Sequence, residues 1–159
     1  MKRIAIVLIL TVVLAISGIS SLAANRGTPA EAKALLKKAV AHYQSVGRKQ
    51  ALADFTGGKA PFVDRDLYVF CIGPDRILSA NGGFPSLVGR SSDVLKDADG
   101  KPVGKAMWNL ASSKGEASIR YRWINPVTGK LEPKISFVQK VGEDVCGVGA
   151  YDPQSATKK

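Results

Sequence analysis

One stretch constrains this chain more than any other: Leu67-Tyr68-Val69-Phe70-Cys71-Ile72, six strand-forming residues in an unbroken apolar run. Asp66 precedes it and Gly73-Pro74-Asp75 ends it in a turn. Successive side chains of a strand point to opposite faces, so a run that is apolar at every position must be covered on both sides. The chain therefore needs a central strand with a layer packed on each face of its sheet, which excludes an all-helical bundle and a sheet with one wet face.

The surrounding segments supply those layers. Thr28-Pro29-Ala30-Glu31 is a capping box with proline at the first helical position. It predicts a helix from Pro29 to Val46, stopped by Gly47. Ala32, Leu35, Leu36, Ala39, Val40 and Tyr43 recur at three- and four-residue spacing, with Lys33, Lys37 and Lys38 facing away. A short helix from Lys49 to Phe55 follows. After the apolar run, Ile77 to Ala80 reads as a second strand. Asn81 to Gly104, rich in Gly, Asp and Ser, is loop with a turn of helix near Asp93 to Leu95. Val103 to Ser113 returns to helical spacing. The last third is a meander: Ala117, Ile119, Tyr121 and Trp123 alternate with Glu116, Ser118, Arg120 and Arg122. Strands at Lys134 to Val141 and Val145 to Tyr151 complete it. The fold class is α+β, with five strands.

Met1-Lys2-Arg3, the apolar stretch Ile4 to Ile19 and the small residues Ser20-Ser21-Leu22-Ala23-Ala24 follow the order of a secretory signal. The expectation is a signal peptide over residues 1–24, cut after Ala23 or Ala24, one domain over 25–152 and a frayed polar tail over 153–159. The second choice is an uncleaved anchor, because the apolar stretch approaches the roughly 17–25 residues that span a bilayer. Either way the domain is placed in the periplasm or outside the cell. The 159 residues carry 23 basic and 13 acidic side chains, a formal charge of +10. The basic residues are scattered and an exported chain seldom meets nucleic acid, so a soluble basic surface is the reading and no nucleic-acid partner is expected. Cys71 and Cys146 fall in strand-like runs. An oxidising compartment permits one disulfide between them, and two buried thiols are the alternative.

Motifs for catalysis are missing. His42 is the only histidine, and it reads as a solvent-facing or capping residue of the first helix rather than part of a triad or metal site. Asp97-Ala98-Asp99-Gly100 fails the calcium-loop frame, since Leu95 would take the first ligand position, and it reads as a turn. Gly147-Val148-Gly149 has no following helix to cradle a phosphate. Asp64 and Asp66 read as the solvated start of a strand. Neither a cofactor, a metal site nor an enzymatic activity is expected.

Taken in order, several segments resemble the single Cache family, the extracytoplasmic relatives of the PAS fold. They are Asp66-Leu67-Tyr68-Val69-Phe70, Leu87-Val88-Gly89-Arg90, Leu95 to Lys101, Tyr121 to Lys130, Pro133-Lys134-Ile135-Ser136-Phe137-Val138 and Gly147-Val148-Gly149-Ala150-Tyr151. Together they span about residues 29–152. The resemblance implies a curved five-stranded antiparallel sheet with the long helix on one face and, under loops and short helices on the other, a small-molecule pocket. Family members commonly sense small organic acids and pass the signal to a kinase or chemotaxis module. This sequence ends at Lys159 with neither a second membrane helix nor a signalling domain, so transmission within the same polypeptide is not expected.

A small carboxylate leaving water needs a cation or several N–H donors. By the resemblance, Lys134 matches the family's lysine, Tyr121 and Trp123 match its Tyr-x-Trp, and Trp108 is placed to close the roof. The other reading keeps Tyr121 and Trp123 as core on the helix side and Lys134 in solvent, with Arg120 and Arg122 as the alternate anion holders. The expected function is a non-enzymatic ligand-binding module that presents its bound acid, or its occupied state, to a membrane receptor or kinase partner. By analogy with the family, two copies would pair through the N-terminal helix. The rival is an interaction protein of the same fold whose pocket is filled by its own side chains.

Overall fold

A computed structural model describes residues 26–152. The expected signal peptide or anchor and the expected polar tail lie outside the described residues. Helix α1 is Pro29–Val46. Its capping box forms as anticipated: Thr28 Oγ1 accepts from the Glu31 amide and the Glu31 carboxylate accepts from the Thr28 amide. Gly47, at φ 81°, stops it in a conformation few other residues adopt. Helix α2 is Arg48–Thr56 and α3 is Val103–Lys114. The strands are β1 Val63–Asp64, β2 Leu67–Ile72, β3 Leu78–Asn81, β4 Glu116–Ile124, β5 Leu131–Val141 and β6 Asp144–Tyr151.

Six strands form one antiparallel sheet, in the order β1-β2-β6-β5-β4. β1 and β3 share the outer edge of β2, one along each half of it. The sequence led to five strands; the sixth, β1, has only two residues, too few for any period to register. β2 is buried at all six positions, as its apolar run required. Leu67, Val69 and Cys71 face α1 and α2 in one core, together with Leu35, Leu36, Phe55 and Val148. Tyr68, Phe70 and Ile72 face the other layer, made of α3 and the loop before it, with Leu78, Met107 and Val138. No helix among the described residues is long and apolar enough to cross a membrane.

Two of the sequence-based expectations need correction. His42 is neither solvent-facing nor a cap: it is half-buried, its Nε2 lies 2.7 Å from Asp54 Oδ2 and its ring packs on Phe55 and Phe62, so it joins α1 to α2. Asp66 is not solvated. It is fully buried and accepts hydrogen bonds from the Gly27 amide, at 2.7 Å, and from Asn125 Nδ2.

A second buried acid, Asp144, fastens the helices to the sheet. Its carboxylate accepts from the Tyr43 hydroxyl, from Arg48 Nε at 2.7 Å and from the Ser79 hydroxyl, which ties α1, α2 and β3 to the start of β6. Cys71 and Cys146 stand directly opposite each other on β2 and β6 and are joined by a disulfide. The Asx turn at Asp97, whose Oδ1 accepts from the Asp99 and Lys101 amides, gives that segment its turn.

Candidate functional site

On the face opposite α1 the sheet does not pack solidly. A cavity of about 40 Å³ lies between it and the covering layer. Its floor is Tyr68, Phe70 and Ile72 of β2 with Tyr121 and Trp123 of β4. Its roof comes from Leu87 and Leu95 of the loop and from Val103, Gly104 and Met107 of α3. Asn81, at the end of β3, closes one side. Gly104 lets α3 approach the loop, because a Cβ there would stand 2.1 Å from the Ser92 carbonyl oxygen.

Lys134 lies behind this floor. The register of β4, β5 and β6 sets Tyr121, Lys134 and Tyr151 side by side in one row. Lys134 is 2% exposed, and its ammonium donates to the Tyr68 hydroxyl at 2.8 Å and the Tyr151 hydroxyl at 3.3 Å. It also sits over both rings, 4.0 and 4.5 Å from their centroids. The space for its chain exists because residue 149 is glycine: a Cβ there would lie 2.0 Å from Lys134 Cε. No carboxylate bonds to the ammonium among the described residues. Burial therefore pushes its pKa well below the usual lysine range, and the nearby charge of Asp66 offsets only part of that.

The phenols respond in the opposite sense. Burial holds the Tyr68 hydroxyl well above its ordinary pKa, reinforced by Tyr151 and Tyr121, so it stays a neutral donor and acceptor. Tyr151 is raised for the same reason and donates a hydrogen bond to the Ile124 carbonyl at 2.6 Å. Since the Tyr151 hydroxyl donates to Ile124 and the Lys134 ammonium donates to both phenols, Tyr68 Oη accepts from the ammonium while its own O–H faces the Tyr151 oxygen at 3.4 Å. Tyr121 shares a 2.8 Å hydrogen bond with the Ser136 hydroxyl. The site can thus hold a small anion by polarised donors over an apolar floor. Among the described residues lining the cavity none is an acid, a histidine or a cysteine, and the described residues hold no cluster of metal-ligating side chains.

Tyr121, Trp123 and Lys134 are brought to one face of the sheet, and that face is the one turned away from α1. Lys134 is not solvated. Arg120 and Arg122 are exposed on the opposite face. Trp108 stands apart from the cavity lining, with the Lys140 ammonium 4.8 Å and the Arg76 guanidinium 5.7 Å from its ring centroid. Sequence reasoning missed Tyr68, Tyr151 and Asn81. A period-two reading of β2 and β6 places Tyr68 and Tyr151 each on a face, but only the inter-strand register puts those faces beside Lys134.

A two-layer-covered antiparallel sheet with a small cavity under a loop-and-helix roof defines a PAS-like sensor fold. The model of the family described as Single Cache domain 2 matches residues 8–151, and the chain belongs to that family of extracytoplasmic, ligand-sensing domains. Solved structures agree in fold. A methyl-accepting chemotaxis protein from Vibrio parahaemolyticus is 20% identical, with TM-score 0.64 over 83% of this chain and 91% of that one. A Cache chemosensory domain described for its carboxylic acid recognition is 21% identical, with TM-score 0.57 over 83% and 90%. A periplasmic sensor domain of a chemotaxis protein is 20% identical, with TM-score 0.57 over 86% and 99%. No curated protein matches the chain.

Proposed function

We propose that this chain is a periplasmic, non-enzymatic Cache module, freed by signal cleavage, that binds a small organic acid and reports its occupancy to a membrane receptor or kinase partner. The observation that carries this reading is Lys134, a buried ammonium whose hydrogen-bond partners are the two phenols Tyr68 and Tyr151, directly behind the floor of the cavity. An ammonium desolvated without a counter-ion is costly, and a carboxylate arriving at Tyr68 supplies that counter-ion. The ligand's carboxylate accepts a hydrogen bond from the Tyr68 hydroxyl, in place of its long 3.4 Å contact with Tyr151, while Lys134 stabilises the charge from behind. Tyr121 and Trp123 exclude water and so strengthen the pairing.

Size narrows the ligand. A cavity of about 40 Å³ holds on the order of three waters, which suits an acid of two or three carbons and not a sugar or a nucleotide. The Cache chemosensory domain described for carboxylic acid recognition supports the same class. Trp108 is given no part in the site. Pairing of two copies through α1 completes the proposal by analogy with the family.

Thermal melting against two- to four-carbon carboxylates, amino acids and amines tests the reading. A ligand at a hundred times its Kd adds about 2.7 kcal/mol. A shift with carboxylates that disappears in Lys134→Ala supports the acid site. No shift with any compound would transfer the weight to an interaction protein with a closed pocket.

A further inference from the structure

Of the six large apolar side chains that stand exposed among the described residues, three share the tip of the β4–β5 hairpin: Ile124 at 50% exposure, Val127 at 57% and Leu131 at 42%. Ile124 and Leu131 are direct partners in the register and so stand side by side on one face, and Pro126, before Val127, is exposed as well. The turn that carries them is firmly held. Asn125 is fully buried: its Oδ1 accepts from the Val127 amide at 2.9 Å, its Nδ2 donates to Asp66 and Glu132, and its backbone bonds to Lys130 and Gly129. A turn fixed in this way has little freedom to fold its apolar side chains back onto the domain. They stay in water until something covers them.

Two observations point to the cover. The first is where the chain enters the domain: Arg26 pairs with Glu132, the neighbour of Leu131, and the Gly27 amide donates to Asp66, which also holds Asn125. The apolar stretch that ends at Ile19 lies seven residues before Arg26. A bilayer that takes up that stretch, before cleavage or in an uncleaved chain, is therefore within about 25 Å of the foot of the hairpin. The second is charge. Lys130 at the tip is exposed, as are Arg122 and Arg120, which follow Ile124 back along the same face of β4. Asp99 lies 3.5 Å from Arg122, while Asp66 and Glu132 are buried and bonded inward. An apolar end backed by cations matches the two layers of a lipid surface, the acyl boundary and the anionic headgroups above it. We propose that the β4–β5 tip is a membrane-docking surface: Ile124, Val127 and Leu131 enter the acyl boundary of an anionic phospholipid bilayer, and Lys130, Arg122 and Arg120 lie among its headgroups. A module released from its leader is thereby kept at the membrane, whatever its cavity binds.

The test takes the chain as the cell exports it and mixes it with vesicles of equal phosphatidylglycerol and phosphatidylcholine, the latter brominated on its acyl chains. Val127→Trp should add a blue-shifted, bromine-quenched emission to the background of Trp108 and Trp123, because a docked tip reaches about 5–10 Å into the boundary. Val46→Trp should add neither, since it stands at the other end of the 18-residue α1, about 27 Å along the helix axis. Val127→Gln/Leu131→Gln alters exposed side chains alone, so its melting temperature should stay within a few degrees of wild type. Its binding to vesicles, read by flotation of the released chain, should fall at least ~10-fold. Wild type should bind pure phosphatidylcholine vesicles at least ~10-fold more weakly than the anionic ones. Where the leader is retained, the quenching decides by itself. An unquenched Val127→Trp on vesicle-bound protein, equal binding by the glutamine variant, equal binding to neutral vesicles, or a released chain that ignores vesicles overturns the proposal. A released chain that ignores vesicles but self-associates in sedimentation, and loses that association in the glutamine variant, overturns it in favour of an interface between two copies.

Discussion

Replacing Lys134 by Met separates a residue kept for binding from one kept for the fold. Met is close in length, carries no charge and fits the channel over Gly149. The change removes two hydrogen bonds from a charged donor, to Tyr68 at 2.8 Å and Tyr151 at 3.3 Å, worth about 1.5–3 kcal/mol each. It also removes the cost of holding an ammonium out of water, which is several kcal/mol after relaxation. These contributions nearly cancel, so stability should change by no more than about 1–2 kcal/mol, below the ~2–5 kcal/mol of a typical large core truncation. At this chain length that is a shift of roughly 3–10 °C at most, read by differential scanning calorimetry. Acid affinity should fall about 10- to 150-fold, the worth of one charge-assisted contact, read by titration calorimetry on the same samples. A collapse of the melting temperature by more than ~15 °C would show that Lys134 is structural, and an unchanged Kd would remove it from the site.

Three further outcomes follow from the same geometry. The Cys71–Cys146 bond closes a 75-residue separation, which constrains the unfolded chain by about 4.5 kcal/mol, so reduction or Cys71→Ala/Cys146→Ala should lower the melting temperature by more than about 10 °C. A drop under ~3 °C would contradict that. Gly149→Ala sets a Cβ 2.0 Å from Lys134 Cε and 2.4 Å from Ser136 Oγ, and should cost about 1–3 kcal/mol in a denaturant titration and weaken acid binding together. Wild-type behaviour in both would deny the close packing. Because burial lowers the folded-state pKa of Lys134, its penalty to stability is fully present below that pKa and fades as pH rises toward the ordinary lysine value. An incoming carboxylate raises the pKa again, so above the depressed value binding takes up a proton and affinity falls with pH. Calorimetry in buffers of different ionisation enthalpy should register up to one proton per ligand, and none in Lys134→Met.

Much of the architecture is written in local pattern. The two-sided burial of β2 follows from its unbroken apolar run, α1 from the Thr28–Glu31 box and its three-four stripe, and the faces of β4 from strict alternation, which correctly separates Tyr121 and Trp123 from Arg120 and Arg122. These are properties of a few adjacent residues, and backbone geometry turns each directly into a helix or a strand face. The site is different in kind. That Lys134 lies between Tyr68 and Tyr151 depends on the registers of β5 with β6 and β6 with β2, which bring Lys134 to Tyr68 across 66 positions of sequence. The burial of Asp66 depends on Gly27 and Asn125 arriving beside it, and the place of Trp108 on how α3 is rotated over β5. The Asn81 amide takes its orientation only because Gly83 and Phe84 turn back on its oxygen. Period and propensity act along the chain, whereas the partners of a buried charge come from across the sheet, so only the tertiary structure could decide what Lys134 and Asn81 face.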